Sequence, residues 1–431
     1  MRWWKPPTRW PGAWVNSMSS LSAWIIVALA TAGVIIRPFK WPEAIWAVGG
    51  AVLVIALGLI PLAAGGTAVM KGMDVYLFLT GMMLLSEVGR REGLFDWIAA
   101  FAVNHAQGSP RRLFILVYLA GVITTTFLSN DATAVVLTPA VFAVARRAGA
   151  EPLPLLFICA FIANAASFVL PISNPANIVL YGSHVPPLGT WLKTFGVASV
   201  VSIVVTFVCL YATQRSKLAG VCEAKVDVPR LSGNGRLALA GTVATAIVLM
   251  VVSAFDGALG LPTAAMGLLV ASMVCLRKRE SPAAMMGQMS WSVLPLVAGL
   301  FVLVETLIHT GVIDALARGI HGVAGHSDTT AAWFAATATA IASNLANNLP
   351  VGLVASATLA KAQVSQHVVD ATLVGVDLGP NLSITGSLAT ILWLNAIRRE
   401  GADVGFFVFL KVGVVVMVPA LVLSVWALLV V

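Results

Sequence analysis

Residues 113–145 read LFILVYLAGVITTTFLSNDATAVVLTPAVFAVA, opened by Arg111-Arg112, closed by Arg146-Arg147, and interrupted midway by Ser129-Asn130-Asp131. Arginine pairs favour the cytoplasmic side of a membrane. With basic pairs at both ends, this segment starts and finishes on one side, so it turns back, and the turn falls at SNDATA (129–134). Backbone that turns at membrane depth is tolerated only inside protein or along a watery cavity, because its freed amides need partners. A polar hairpin tip therefore implies a site.

The rest of the composition places that hairpin in an integral membrane protein. Of 431 residues, 59% are hydrophobic and 10% charged, against about a quarter charged in a soluble domain. Apolar runs at 21–36, 44–63, 72–89, 192–213, 237–255, 261–276, 291–308 and 404–430 reach or approach the roughly 20 residues of a spanning helix. Runs this long exclude the alternating segments of an outer-membrane barrel. The expected fold is all-α, with about ten transmembrane helices, two re-entrant hairpins and two interrupted helices. The opening MRWWKPPTRWPGAW is read as an interfacial segment over 1–20, with no removable signal peptide.

The net charge of +8 is read as topology and not as a nucleic-acid surface. Arg37, Lys40, Arg90, Arg91, both arginine pairs of the hairpin, the joint at 214–236, Arg277-Lys278-Arg279 and Arg398-Arg399 share the cytoplasmic side. Ten crossings then leave both termini external. The same count puts both ends of 329–364 outside, so a second hairpin, 329–364, dips in from the opposite face and turns at ASNLANNLP (342–350). The first hairpin spans 111–147.

Two stretches repeat. LSEVGRREGLFDWIA (85–99) and LVETLIHTGVIDALA (303–317) align Glu87 with Glu305, Gly93 with Gly311 and Asp96 with Asp314. Asn130-Asp131 falls on Asn347-Asn348, Asn164 on Asp377, and Asn174 on Ser387. The chain is read as two diverged copies, 21–213 and 237–431, opposite in orientation. Inverted repeats whose broken helices meet near the midplane are the architecture of secondary transporters.

The breaks are legible. In FIANAASFVLPISNPANIVLYG (161–182), Pro171 and Pro175 bracket Ile172-Ser173-Asn174; in GVDLGPNLSITGSLATILW (375–393), Gly379-Pro380 and Gly386-Ser387 interrupt the run. Each break presents a helix N-terminus. The candidate cargo-binding residues are Ser129, Asn130, Thr133, Ser173, Asn174, Asn177, Asn347, Asn348, Gly386 and Ser387. The bland alternative is that such Asn, Ser and Thr only join neighbouring helices, at about 0.6 kcal/mol each. Intramembrane carboxylates are costlier, so Asp131 and Asp377 are the candidate proton carriers. Glu87, Glu305, Asp96 and Asp314, near helix ends, are read as structural. Cys159, Cys209, Cys222 and Cys275 have no metal-ligand spacing, and no metal or cofactor is expected.

FLSNDATAVVLTPAVFA (127–143), NNLPVGLV (347–354) and GVDLGPNLSITGSLATILWL (375–394) closely resemble the ArsB-type arsenite efflux permeases, within the wider ion transporter superfamily. The resemblance covers essentially the whole chain. It implies a scaffold with a moving, elevator-type transport domain in the bacterial inner membrane. It also implies export of arsenite and antimonite by proton antiport, sometimes with a soluble ArsA-type ATPase. Some members carry Asp where this chain has Asn164, which puts any coupling on Asp131 and Asp377.

The residues agree with that cargo. Arsenite at neutral pH is an uncharged trihydroxide, and Asn, Ser and Thr satisfy its donors and acceptors without a counter-charge. A thiolate cluster would hold trivalent arsenic too tightly for turnover, which argues against Cys159. Two other readings stay open. One is a sodium-coupled carboxylate carrier or sodium/proton antiporter of the same superfamily, although such a sodium site wants a Ser-Asn-Thr type tip in both hairpins. The other is an intramembrane aspartyl protease built on Asp131 and Asp377.

Overall fold

In a lipid environment a backbone must satisfy its own polar groups, and an apolar chain does so as helix. The computed structural model describes residues 17–182, 185–227, 230–287 and 289–430, so the basic, aromatic opening read as interfacial lies outside the described residues. Its regular elements are all helical.

The first half contains α1 (Ser17–Ile36), α2 (Glu43–Ala56), α3 (Leu62–Lys71), α4 (Met73–Arg91) and α5 (Leu94–Ala106). The first hairpin follows as α6 (Pro110–Phe127), α7 (Asn130–Ala132), a π-turn (Thr133–Leu137) and α8 (Thr138–Arg147). Then come α9 (Pro152–Ala165), α10 (Pro175–Tyr181) and α11 (Leu188–Gln214). The second half runs through α12 (Gly233–Ala254), α13 (Gly260–Lys278), α14 (Pro282–Met286), α15 (Val293–His309) and α16 (Val312–Ala324). Its hairpin is α17 (Asp328–Ala346) and α18 (Asn348–Ala362), followed by α19 (Gln366–Leu378), α20 (Leu388–Arg399) and α21 (Phe406–Val430).

The halves correspond element by element. Gly93 and Gly311 both take positive φ, 71° and 78°, and each opens a 13-residue helix, α5 and α16. That left-handed turn is where glycine costs least. Small residues let helices of opposite halves approach closely. Gly81 lies on the Thr263 and Ala264 backbone, and the Gly260 amide donates to Asp74 Oδ1 at 2.8 Å, so α13 runs parallel beside α4. Gly50 meets Leu303 and Gly299 meets Ala47, so α2 runs parallel beside α15. Since α4 returns in the direction opposite to α2, the two copies are inverted.

Among the described residues five helices, α6, α11, α12, α13 and α21, are long and apolar enough to cross a membrane alone; counting the bent pairs α3/α4 (46°) and α15/α16 (74°) makes seven. The apolar run at 44–63 is not one helix: α2 ends at Ala56, the chain turns through Gly58 at φ 68°, and Pro61 precedes α3. The other crossings are short or broken, which is where the polar residues collect.

One end of the molecule is basic. Arg91 pairs with Glu280, Lys278 with Glu92 at 2.6 Å, and Lys217 with Glu151. The joint after α11 lies across the same end: the Cys222 amide donates to the Gly108 carbonyl and the Glu223 amide to that of Ala148. The opposite end holds Lys71 with Glu305 and Lys361 with Asp314, at 2.8 and 2.7 Å. By the positive-inside rule the first end faces the cytoplasm.

Candidate functional site

The first tip is built by local capping. Ser129 Oγ accepts from the Ala132 amide at 3.3 Å and starts α7, while Asn130 Oδ1 accepts from the Asp131 amide at 2.9 Å. Thr133 and Thr125 hydroxyls meet at 2.8 Å, bracing the two arms. The π-turn follows from Pro139, which has no amide for the Val135 carbonyl; Thr138 Oγ1 donates to the Thr133 carbonyl at 3.0 Å. Ser129, Asn130 and Thr133 are buried, and Asp131 is half-buried, its carboxylate without a hydrogen bond or ion pair among the described residues.

The first break is wider than its two prolines indicate. α9 already ends at Ala165, and a short 3-10 turn, Pro171–Ser173, precedes α10. The orphan carbonyls at a helix C-terminus need donors, and α11 supplies them: Ser202 donates to Ala165, and Ser199 and Trp191 to Phe168. Asn177 Nδ2 donates to the Ser167 carbonyl at 2.8 Å and reaches those of Leu170 and Pro171. Ser173 donates to Thr126 in the first hairpin, 3.0 Å, and Asn174 caps α10 through the Ala176 amide. Ser173 and most of Asn177 thus hold the break in shape.

The second tip and second break interlock directly. Asn347, at φ 68°, caps α18 by accepting from the Leu349 amide. The Asn348 amide donates to the Gly386 carbonyl at 2.9 Å. Asn344, at the end of α17, donates to the Gly379 carbonyl at 2.8 Å and accepts from Ser383 at 2.7 Å. Ser387 caps α20 in a reciprocal box with Thr390. The first tip packs on the same α20, so both tips bear on that helix.

At the breaks, amide side chains of the first half reach the second. Asn174 Nδ2 donates to Asp377 Oδ1 at 2.8 Å, and Asn164 Nδ2 donates to Asn381 Oδ1 at 3.0 Å, with Asn381 in turn donating to the Phe161 carbonyl. Asp377 is 0% exposed, and its Oδ2, the Asn164 Oδ1 and the Asn177 Oδ1 are buried without a partner. Such groups each carry a desolvation cost of about 1–3 kcal/mol, more for a charge. Their unmet bonds lie beside the Asn174–Asp377 and Asn164–Asn381 contacts. The buried polar side chains among the described residues include no Lys or Arg.

The sequence candidates therefore fall into two groups. Asn130, Asn174, Asn347, Asn348, Gly386 and Asp377 lie where tips and breaks contact one another, whereas Ser129, Thr133, Ser173, Asn177 and Ser387 use most of their bonds for capping or stapling. Asp131 and Asp377 do not pair with each other: the bonded partner of Asp377 is Asn174. A cavity of about 30 Å³ lies between Asn347, Pro350 and Leu388 on one wall and Val34, Glu43 and Val297 on the other. Glu87 pairs with Arg90 and Arg91 and Glu305 with Lys71, as end-of-helix charges. Asp96 and Asp314 lie in the first turns of α5 and α16, whose N-caps are glycines. Sequence reasoning passes over Asn344 and Asn381, although both stand inside quoted motifs; neither has a polar counterpart in the other half to signal it.

Known proteins resemble this chain along most of its length. A family profile described as "Citrate transporter" (CitMHS) matches residues 24–375. An uncharacterized transporter of Mycobacterium tuberculosis is 26% identical over 367 residues, covering 81% of this chain and 84% of that protein. An arsenical pump membrane protein of Escherichia coli is 24% identical over 391 residues, covering 88% and 91%, and that of strain K12 is 26% identical over 372 residues, covering 80% and 84%. Among solved structures, the YdaH transporter of Alcanivorax borkumensis, described as having an unusual topology, aligns with a TM-score of 0.57 at 16% identity. The match covers 95% of this chain and 98% of that one.

Proposed function

The chain belongs to the CitMHS transporter family, and we propose that within it this protein exports trivalent arsenic and antimony hydroxides from the cytoplasm by proton antiport. It is a multi-pass membrane transporter and not an enzyme; the protease reading falls with the family match and with the absence of a bond between the two aspartates. The observation that carries the cargo assignment is the chemistry of the buried polar set: Asn, Ser and Thr with carboxylates, and no Lys or Arg among the described residues. An uncharged trihydroxide matches amides and hydroxyls, which both donate and accept. The arsenical pump relatives, at 24–26% identity, point the same way.

In this reading the cargo contacts Asn130, Asn174, Asn347, Asn348 and the Gly386-Ser387 break, with Ser129, Thr133, Ser173 and Asn177 holding those groups in place. Asp131 and Asp377 carry protons. The hairpins are re-entrant, the halves 21–213 and 237–431 are the repeat units, and the tip-bearing domain moves past α1, α2 and α15. A cavity of 30 Å³ has room for about two waters, so loading needs that movement. The setting is the bacterial inner membrane, and an ArsA-type ATPase would dock on the cytoplasmic end.

The family description favours a second reading, a carboxylate carrier. A polycarboxylate wants bidentate or point-charge cations, and the buried set offers carboxylates instead. The test is uptake into everted membrane vesicles. Arsenite uptake driven by an imposed proton gradient, lost in Asn130→Ala and Asn348→Ala, is the expected result. Sodium-driven citrate uptake with no arsenite flux in the wild type would refute the reading.

A further inference from the structure

Another buried carboxylate lies outside the site described above. Asp370 is 5% exposed. It accepts from the Tyr181 hydroxyl at 2.5 Å and from Gln366 at 2.7 Å. Asp370 and Asp377 are seven residues apart on α19, two helical turns, so they share a face, roughly 10 Å apart at 1.5 Å per residue. Asn174 and Tyr181 are likewise the two ends of α10. α10 therefore lies antiparallel beside α19, with Asn174 against Asp377 near the break and Tyr181 against Asp370 near the outer end. Asn177, between them on α10, keeps its buried Oδ1 unpartnered.

The inverted copy lacks this arrangement. At the repeat offset that places Asn164 on Asp377, Phe157 falls on Asp370 and Leu394 on Tyr181. There α9 and α20 meet through Phe157 stacked on Trp393, ring centres 6.1 Å apart, and through the Trp393 indole donating to the Leu156 carbonyl. The cytoplasmic half of the paired broken helices is joined by aromatic rings, and the outer half by a tyrosine and a carboxylate. A buried carboxylate is costly, and in the other copy aromatic rings make the purely structural contact between these helices.

We propose that Asp370, held by Tyr181, is the outer-face proton-loading site that delivers protons to Asp377, so that protons enter from outside along α10 and α19. The proposal rests on the proton-antiport reading above. The groups that act on Asp370 are Tyr181 from α10 and Gln366 and His367 from its own first turn. α17, α18 and α21 also pack on α19; Asp328, at the exposed start of α17, makes no hydrogen bond to Asp370 among the described residues. Asp370 is a positioning and loading residue and does not touch the cargo.

Two measurements in everted vesicles, whose lumen is the outer face, test it: arsenite counterflow at equal pH, and arsenite accumulation driven by an acid lumen. Asp370→Asn is expected to keep wild-type counterflow and to lose about tenfold in accumulation per proton at a gradient of one pH unit. Asp370→Glu should restore the drive, and Tyr181→Phe should shift the dependence on lumenal pH while leaving that on external pH unchanged. Undiminished accumulation by Asp370→Asn would overturn the proposal. So would a joint loss of counterflow and drive that Asp370→Glu does not rescue, which marks a scaffold residue. If the wild type itself carries no arsenite against protons, the functional reading fails first, and the variants distinguish the two cases.

Discussion

Replacing Asp377 by asparagine removes an ionisable group while keeping the shape of the side chain. The variant side chain would retain an Oδ1 to accept from Asn174, whose Nδ2 lies 2.8 Å from that atom in the native protein. It would also remove any charge from the buried, unpartnered position of Oδ2. Folding is therefore expected to survive. The functional magnitude follows from the proton count. Each proton moved down a gradient of one pH unit contributes about 1.4 kcal/mol, which is a tenfold accumulation of an uncharged cargo. With Asp131 and Asp377 as two carriers, the wild type can reach about a hundredfold at equilibrium without membrane potential; with Asp131 alone, about tenfold. Asp377→Asn should thus drop the plateau about tenfold or more in potassium-clamped vesicles, while counterflow at equal pH continues. The assay is the steady-state ratio of radiolabelled or mass-quantified arsenic at a series of imposed gradients, whose slope on a logarithmic plot reads protons per cargo. An unchanged slope in Asp377→Asn would refute the assignment of that carboxylate.

Asn344→Ala removes the bonds to Gly379 and Ser383 that tie the second hairpin to the second break; it should cost roughly 1–3 kcal/mol, seen as a lower melting temperature in detergent together with slower transport. Gly375→Val drives a side chain into the Ala336 carbonyl and the Thr339 hydroxyl and should cost at least about 1–3 kcal/mol. Gly196→Ala, where a methyl group meets open space on α11, should instead stabilise by about 0.4–1 kcal/mol; matched melting curves compare the two. Cys159→Ala deletes a buried thiol that forms no disulfide; arsenite uptake should stay at the wild-type rate, and its abolition would mean that a thiol participates in binding.

Much of the helical plan is written locally. SNDATA and NNLP begin helices because Ser129 and Asn347 can cap them, and the glycines of the two repeated stretches open α5 and α16 with the same left-handed turn. The apolar run at 44–63 misleads because hydropathy does not see the turn that Gly58 and Pro61 impose. The first break outruns its two prolines for a similar reason: nothing near Ala165 in sequence announces that Trp191, Ser199 and Ser202 take up the carbonyls there. Asn381 and Asn344 are visible as letters but not as partners.

The amino-acid sequence alone determined the helical class, the two inverted copies and the polar interruptions. Apolar run length, basic flanks and capping residues act over a few turns of chain, within the reach of local physics. Only the tertiary structure decided which polar groups remain free. Asn174 finds Asp377, Asn164 finds Asn381 and Tyr181 finds Asp370 across separations of 203, 217 and 189 residues. Whether a buried amide is mortar or site depends on that distant partner, because the cost of desolvation is settled by the bonds made after the helices pack.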